Sequence, residues 1–563
     1  LPTDLDIARA ARLDPIEDVA ARLGLGPHLL EPYGRGVAKV DLAAIDELAD
    51  RPTGKYVLVT AVTPTPLGEG KTATAVGLGQ ALGLLGRRSV VTLRQPSMGP
   101  TFGIKGGAAG GGYSQVVPMD RLNLHLTGDI HAVTAAHNLL AAMVDAHLFH
   151  GNQLGLDLHA IDWKRALDVN DRALRSIVIG LGGRLDGVPR QSGFDITAAS
   201  EVMAVLALAT SLGDLRQRLG RIVVGYTSGG DPVTAEDLQA AGAMAVLLRD
   251  ALRPNLLQTL ERTPVLVHAG PFGNIAHGCS SVVADLIGLR TADVVVTEAG
   301  FGSDMGAERF FNIKCRSAGL TPDAAVVVAT VRALKAHSGR HHVVAGRPLP
   351  EALLAERPDE VLAGADNLLA HLDNVRRHGV TPVVAINAFA TDHPSEHAAI
   401  REVAEQAGVR VAVCTNVADG GRGATELAEV VLDAAAEPSA FRLLYPDELA
   451  LREKIAIVAR EVYGADGVDV EPAAARALDR FEALGYGRLP VCIAKTHLSL
   501  SHDATLLGRP RGYRLPVREV RASVGAGFVY PICGTMSTMP GLGSHPAAQR
   551  IDLDADGEIV GLS

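Results

Sequence analysis

The chain has 563 residues, a formal net charge of -10 and 47% hydrophobic residues. At roughly 150 residues per domain, that length accommodates three or four domains with a sizeable core. The acidic balance argues against a nucleic-acid binder, which would show a basic stripe, and 21% charged residues argue against wholesale disorder.

The N-terminal Leu1-Pro-Thr-Asp-Leu-Asp has no basic segment leading into an apolar one, so no secretory leader is expected. No uncharged apolar run reaches about 18 residues, so no membrane span is expected and a cytoplasmic location is the default. The five cysteines are odd in number and widely spaced, and none forms a C-x-x-C pair. They read as thiols in a reducing compartment rather than as disulfides or a zinc site.

Short, continuous apolar runs predict strands buried on both faces. In chain order they are Tyr56–Ala61, Ser89–Leu93, Ser176–Ile179, Arg221–Val224, Pro264–Val267, Asp293–Val296, Ala325–Val328, Pro382–Ile386, Val409–Val413 and Leu489–Ile493. Helical patterns such as Thr72–Leu85 and Thr197–Leu212 lie between many of them, which predicts α/β architecture with mostly parallel sheets. The segments after these strands then form a candidate site wall, because open α/β sheets bind ligands beyond the carboxyl ends of their strands.

The first strand leads into Thr63-Pro-Thr-Pro-Leu-Gly-Glu-Gly-Lys-Thr72 and then a helix. A helix N-terminus presents free N–H groups and a partial positive charge, so it suits phosphate. The candidate nucleotide contacts are Thr65, Pro66, Leu67, Gly68, Glu69, Gly70, Lys71 and Thr72. Gly68 and Gly70 permit close backbone approach, Lys71 supplies a cation for the terminal phosphates, and Thr72 offers its hydroxyl to Mg²⁺. Thr65 stands where the usual P-loop pattern has glycine.

The next strand ends at Arg94, which can grip an anion beside the nucleotide through two parallel hydrogen bonds. The glycine-rich stretch from Gly103 to Gly112 suggests close backbone approach rather than a linker. His125, Asp129 and His131 cluster further on. Their spacing does not match the paired histidines of a zinc helix, so substrate contact or acid–base work is the better reading. Glu298, after an apolar strand, is a weaker candidate for a second magnesium ligand.

Taken in order, these strings resemble the formate–tetrahydrofolate ligase family. The resemblance extends through His268–His277, Thr297–Asp304, Phe310–Cys315, Ala333–His337, Asn387–Asp392, Arg518–Arg521 and Met539–Leu542. It implies a P-loop-type nucleotide-binding domain (1–133 and 284–365), an inserted α/β domain (134–283) and a C-terminal domain (366–563). It also implies a cytoplasmic homotetramer that joins ATP, formate and tetrahydrofolate into 10-formyltetrahydrofolate, ADP and phosphate through formyl phosphate, with K⁺ or NH₄⁺ as activator.

By the same resemblance, Arg94 holds formyl phosphate. His125, Asp129, His131 and His268 are candidates for taking the amine proton, Phe301 and Ser303 line the nucleotide pocket, and Phe389 stacks the folate ring. The family's second aromatic wall, a tryptophan, is Val417 here, and Gln95 stands where many bacterial members have glutamate. Two other readings remain open: a P-loop ATPase switch, and a folate-binding member with altered pterin preference.

Overall fold

The computed structural model describes residues 2–66, 68–105, 109–343 and 349–562. Its centre is a twelve-stranded sheet whose main path is β1 (Leu30–Pro32), β2 (Ala38–Val40), β3 (Lys55–Ala61), β4 (Ser89–Leu93), β5 (Asn255–Thr259), β6 (Pro264–Val267), β7 (Val294–Glu298), β8 (Ala324–Ala329), β9 (Thr381–Asn387) and β10 (Arg410–Cys414), with Gly110–Gly111 and Ser114–Val117 joined at β5. Their order across the sheet is β1-β2-β5-β6-β4-β7-β3-β8-β9-β10. From β6 to β10 every neighbouring pair is parallel, whereas β5 runs antiparallel to both β6 and β2.

The apolar runs produce this sheet because both of its faces are covered. Along β3, Tyr56 and Leu58 enter one core while Val57, Val59 and Ala61 enter another. This is the period-2 alternation of a strand with helices on either side. Helix α1 (Lys71–Leu84) follows β3 and is buried from Ala73 to Leu82.

The chain leaves β3 for β4 on one side, with β7 inserted between them, and builds β8, β9 and β10 on the other. That reversal makes the carboxyl end of β3 a topological switch point, the usual ligand crevice of such sheets. Two further cores lie outside the sheet: one gathers residues mostly between Ile130 and Val282, the other residues mostly between Tyr445 and Cys533.

Three expectations need correction. The single helix expected over Thr197–Leu212 is a 3₁₀ turn (Thr197–Ala199), a helix (Glu201–Leu208) and the start of another (Leu212–Gly220). Ser200 and Ser211 break it, each accepting a backbone N–H as an N-cap, from Met203 and Asp214 respectively. The run Leu489–Ile493 forms no strand. Val491 makes one isolated bridge to Val529, and Pro490 lacks the N–H that a ladder needs. Parallel pairing also does not extend to the strands Val223–Thr227 and Ile177–Ile179, which pair antiparallel in small sheets.

Candidate active site

The candidate phosphate loop is shaped by its own residues. Gly68 and Gly70 have φ of 76° and 73°, the left-handed region that glycine enters without a steric penalty. At Gly70 a side chain is excluded by space as well, since a Cβ would lie 2.3 Å from Asn387 Nδ2. The Glu69 side chain turns inward and braces the loop. Its carboxylate accepts from Thr65 N (2.8 Å), Thr65 Oγ1 (2.9 Å) and Thr330 Oγ1 (2.5 Å). Asn387 Nδ2 donates to the Glu69 carbonyl at 3.1 Å. Pro66 and the half-buried Lys71 complete the described loop; Leu67 lies outside the described residues.

Glu298 is the junction of the site. It ends β7, between the strands that deliver the loop and Arg94. Thr72 Oγ1 donates to Glu298 Oε2 at 2.7 Å, and Arg94 Nη2 lies 3.8 Å from Glu298 Oε1. One buried carboxylate thus ties the helix start to the guanidinium. The surrounding loops are tied to each other as well: Gly300 N donates to Gly278 O at 3.0 Å, and a Cβ on Gly300 would lie 3.3 Å from the Arg94 guanidinium nitrogens.

Other candidates occupy different environments. Ser303 is buried, and its hydroxyl is 2.7 Å from His371 Nδ1, whose ring meets Thr63 Oγ1 through Nε2 at 2.9 Å. Its side chain therefore serves the packing beneath the loop. Phe301 has φ of 62°, an uncommon left-handed backbone for a bulky residue, and stacks on His497 with ring centroids 4.5 Å apart.

His268 is fully buried, with its nitrogens 2.7 Å from Ser281 Oγ and 2.6 Å from Ala251 O. Burial pushes its pKa down to about 4. Asp129 is buried in an ion pair with Lys39 (2.8 Å) and accepts from Asn255 Nδ2 (2.7 Å). His125 and His131 are exposed. The four therefore divide into two enclosed groups, with the Asp129 charge acting on His268, and two exposed imidazoles.

Phe389 follows β9, and Val417 follows the adjacent β10. Val417 is 37% exposed, and its carbonyl accepts from Tyr113 N at 2.8 Å. The guanidinium carbon of Arg332 sits 3.4 Å from the Phe389 ring centroid. Arg332 was not anticipated from sequence, since the pair joins residues far apart in the chain.

Two other buried side chains lie at these strand ends. Both amide atoms of Gln95, beside Arg94, lack a hydrogen-bond partner among the described residues. Both ring nitrogens of His277 are likewise unpartnered, although His277 closes a string that the family resemblance includes. Buried polar groups are rarely left this way, and these two follow the carboxyl ends of neighbouring strands β4 and β6.

A family model described as formate–tetrahydrofolate ligase matches residues 2–563. The chain belongs to that family. A formate–tetrahydrofolate ligase of Saccharopolyspora erythraea is 72% identical over 563 residues, covering 100% of both chains. One from Rubrobacter xylanophilus is 67% identical over 570 residues and one from Cutibacterium acnes 65% over 562, again with complete coverage of both chains. Membership of this ligase family spans every residue discussed above. Among the described residues, no helix is long and apolar enough to cross a membrane.

Proposed function

We propose that the protein ligates formate to tetrahydrofolate, with cleavage of ATP to ADP and phosphate, giving 10-formyltetrahydrofolate. The observation that carries this reading is the shared carboxylate of Glu298, which brings Thr72 of the phosphate loop and Arg94 of the neighbouring strand to one place. In the first step a formate oxygen attacks the γ-phosphorus and ADP leaves. In the second, the N10 amine of tetrahydrofolate attacks the formyl carbon, phosphate leaves and the amine loses a proton.

Phosphoryl transfer needs positioning and charge stabilisation above all. The loop N–H groups and Lys71 hold the migrating phosphoryl group, and Arg94 grips the formyl phosphate anion. The Thr72 hydroxyl and Glu298 carboxylate form a pair of hard oxygen donors, a fit for Mg²⁺, which when bound would neutralise phosphate charge. Phe301 lines the nucleotide side, and Phe389 with Val417 the folate side. For proton removal, exposure favours His125 and His131 over the enclosed His268 and Asp129.

The assignment also includes a domain division at 1–133 with 284–365, 134–283 and 366–563, a homotetramer, a cytoplasmic location, and activation by K⁺ or NH₄⁺. Separate cores around 130–282 and 445–533 fit an inserted and a C-terminal unit, whereas β5, β6, β9 and β10 belong to the central sheet. Purified protein given ATP, formate, tetrahydrofolate, Mg²⁺ and K⁺ should form 10-formyltetrahydrofolate and ADP in equal amounts. Absence of the formylated product, measured by chromatography, would overturn the proposal.

A further inference from the structure

The glycine-rich stretch ends in a tight turn that is held from two sides. Gly110–Gly111 pairs antiparallel with Ser114–Gln115. On the inner side, Tyr113 N donates to Val417 O at 2.8 Å and Ser114 Oγ to Asn416 O at 2.8 Å. Gly112, between them, packs closest. Its φ is 54°, and a Cβ there would lie 2.0 Å from Val417 O and 2.9 Å from Val417 Cγ1. The side chain that lines the proposed folate side thus rests against the Gly112 backbone.

The outer side of the turn is held by Asp4, the first residue of the helix Asp4–Ala10. Its Oδ1 accepts from Gly112 N at 2.9 Å. Its carbonyl accepts from Gln115 Nε2 at 3.0 Å, and the same nitrogen donates to Gly112 O at 2.6 Å. Both polar groups of the Gly112 backbone are therefore committed to this outer clasp, since a carboxylate is a strong acceptor for an N–H. The clasp is anchored, because the adjacent Leu5 is buried in one of the cores that cover the sheet. Asp4 itself is only half-buried, so its side chain can be changed without opening a core.

We propose that Asp4 is a positioning residue for tetrahydrofolate: it clamps Gly112 onto Val417 and so fixes the wall against which the folate ring lies. Asp4 touches no substrate and acts through the glycine. The inference rests on the proposed folate side and gives the helix Asp4–Ala10 a part in binding the cosubstrate.

The test is steady-state kinetics on Asp4→Ala, Asp4→Leu, Asp4→Asn and Phe389→Ala, with thermal melts to confirm folding. Asp4→Ala and Asp4→Leu delete the acceptor, and each should raise the KM for tetrahydrofolate about fivefold, as the loss of one such bond implies. Their kcat and KM for ATP should stay close to those of the parent protein. Asp4→Asn keeps a side-chain oxygen for Gly112 N, so its KM for tetrahydrofolate should remain near the parent value.

An unchanged KM for tetrahydrofolate in Asp4→Ala and Asp4→Leu, with a raised one in Phe389→Ala, would overturn the role of Asp4 and leave the folate side standing. An equal rise in the KM for ATP, the mark of general loosening, would also overturn it, as would an Asp4→Asn variant as impaired as Asp4→Ala. An unchanged KM in Phe389→Ala would instead remove the folate-side reading on which the inference rests.

Discussion

The proposed phosphate side and the proposed folate side of the crevice are built by different means. On the phosphate side, directional bonds fix nearly every group: Glu69 makes three, Glu298 accepts from Thr72, and Asn387 holds the loop carbonyl. On the proposed folate side, the Arg332 guanidinium carbon lies 3.4 Å from the Phe389 centroid and Val417 stands partly in solvent. Charge moving between oxygens demands placement to a fraction of an ångström, which hydrogen bonds supply. A ring needs area, and area tolerates substitution. The phosphate side should therefore fail sharply when altered, whereas the folate side should change by degrees.

Lys71→Ala makes the largest test. It should lower kcat by on the order of 10³ or more, since a cation facing the transferred phosphoryl group acts most strongly in the transition state. Isotope exchange between formate and ATP-derived phosphate should disappear, and near-normal turnover would break the comparison at once. Arg94→Lys keeps the charge but loses the two-pronged grip, so kcat should fall about 10²-fold. A loss confined to the KM for tetrahydrofolate would instead move Arg94 to the folate side. Glu298→Gln should raise the KM for ATP several-fold, roughly 5- to 10-fold, and shift the optimum Mg²⁺ concentration upward; Mg²⁺ titration of the rate reads both.

Graded change is expected on the other side. Val417→Trp should lower the KM for tetrahydrofolate about fivefold, as stacking worth ~1 kcal/mol implies. An unchanged value would mean that the ring does not approach Val417.

The smallest effect lies outside both regions. The Glu201 carboxyl is pushed up to about 8 by burial, against its ordinary 4.5, although Gly525 N donates to it at 2.7 Å. The folded protein keeps this proton between those values, whereas the unfolded chain has released it. Stability is accordingly lost as pH rises through that window and levels off above it. Glu201→Gln should flatten the melting temperature across the same range with turnover unaffected, and an unaltered slope would refute the role of burial.

The parts of this design legible in the sequence are the local ones. Seven of the ten β-branched runs became central strands because burial on both faces leaves no alternation to misread. Gly68 and Gly70 marked the loop because only their backbone adopts its turns. Chain-distant matches were not legible. Glu69 looked like a loop contact, yet its carboxylate is committed to Thr65 and Thr330. Ser303 looked like a pocket residue, yet its hydroxyl meets His371. Arg332 carried no local signal, because Phe389 arrives beside it only once β8 and β9 pair. Leu489–Ile493 shows the opposite error, an apolar run that lacks a ladder because Pro490 interrupts its donors.

The contact of Gly70 with Asn387 has a genetic consequence. A methyl group at position 70 would collide with the Asn387 amide, so trimming position 387 looks like a natural suppressor. It cannot work fully. Asn387→Ala opens space but also deletes the donor to the Glu69 carbonyl, and alanine at 70 still meets the left-handed backbone that only glycine occupies freely. The two positions are locked together without being interchangeable. A screen for revertants of Gly70→Ala should return glycine itself, and second-site alleles at 387 should restore growth only partially.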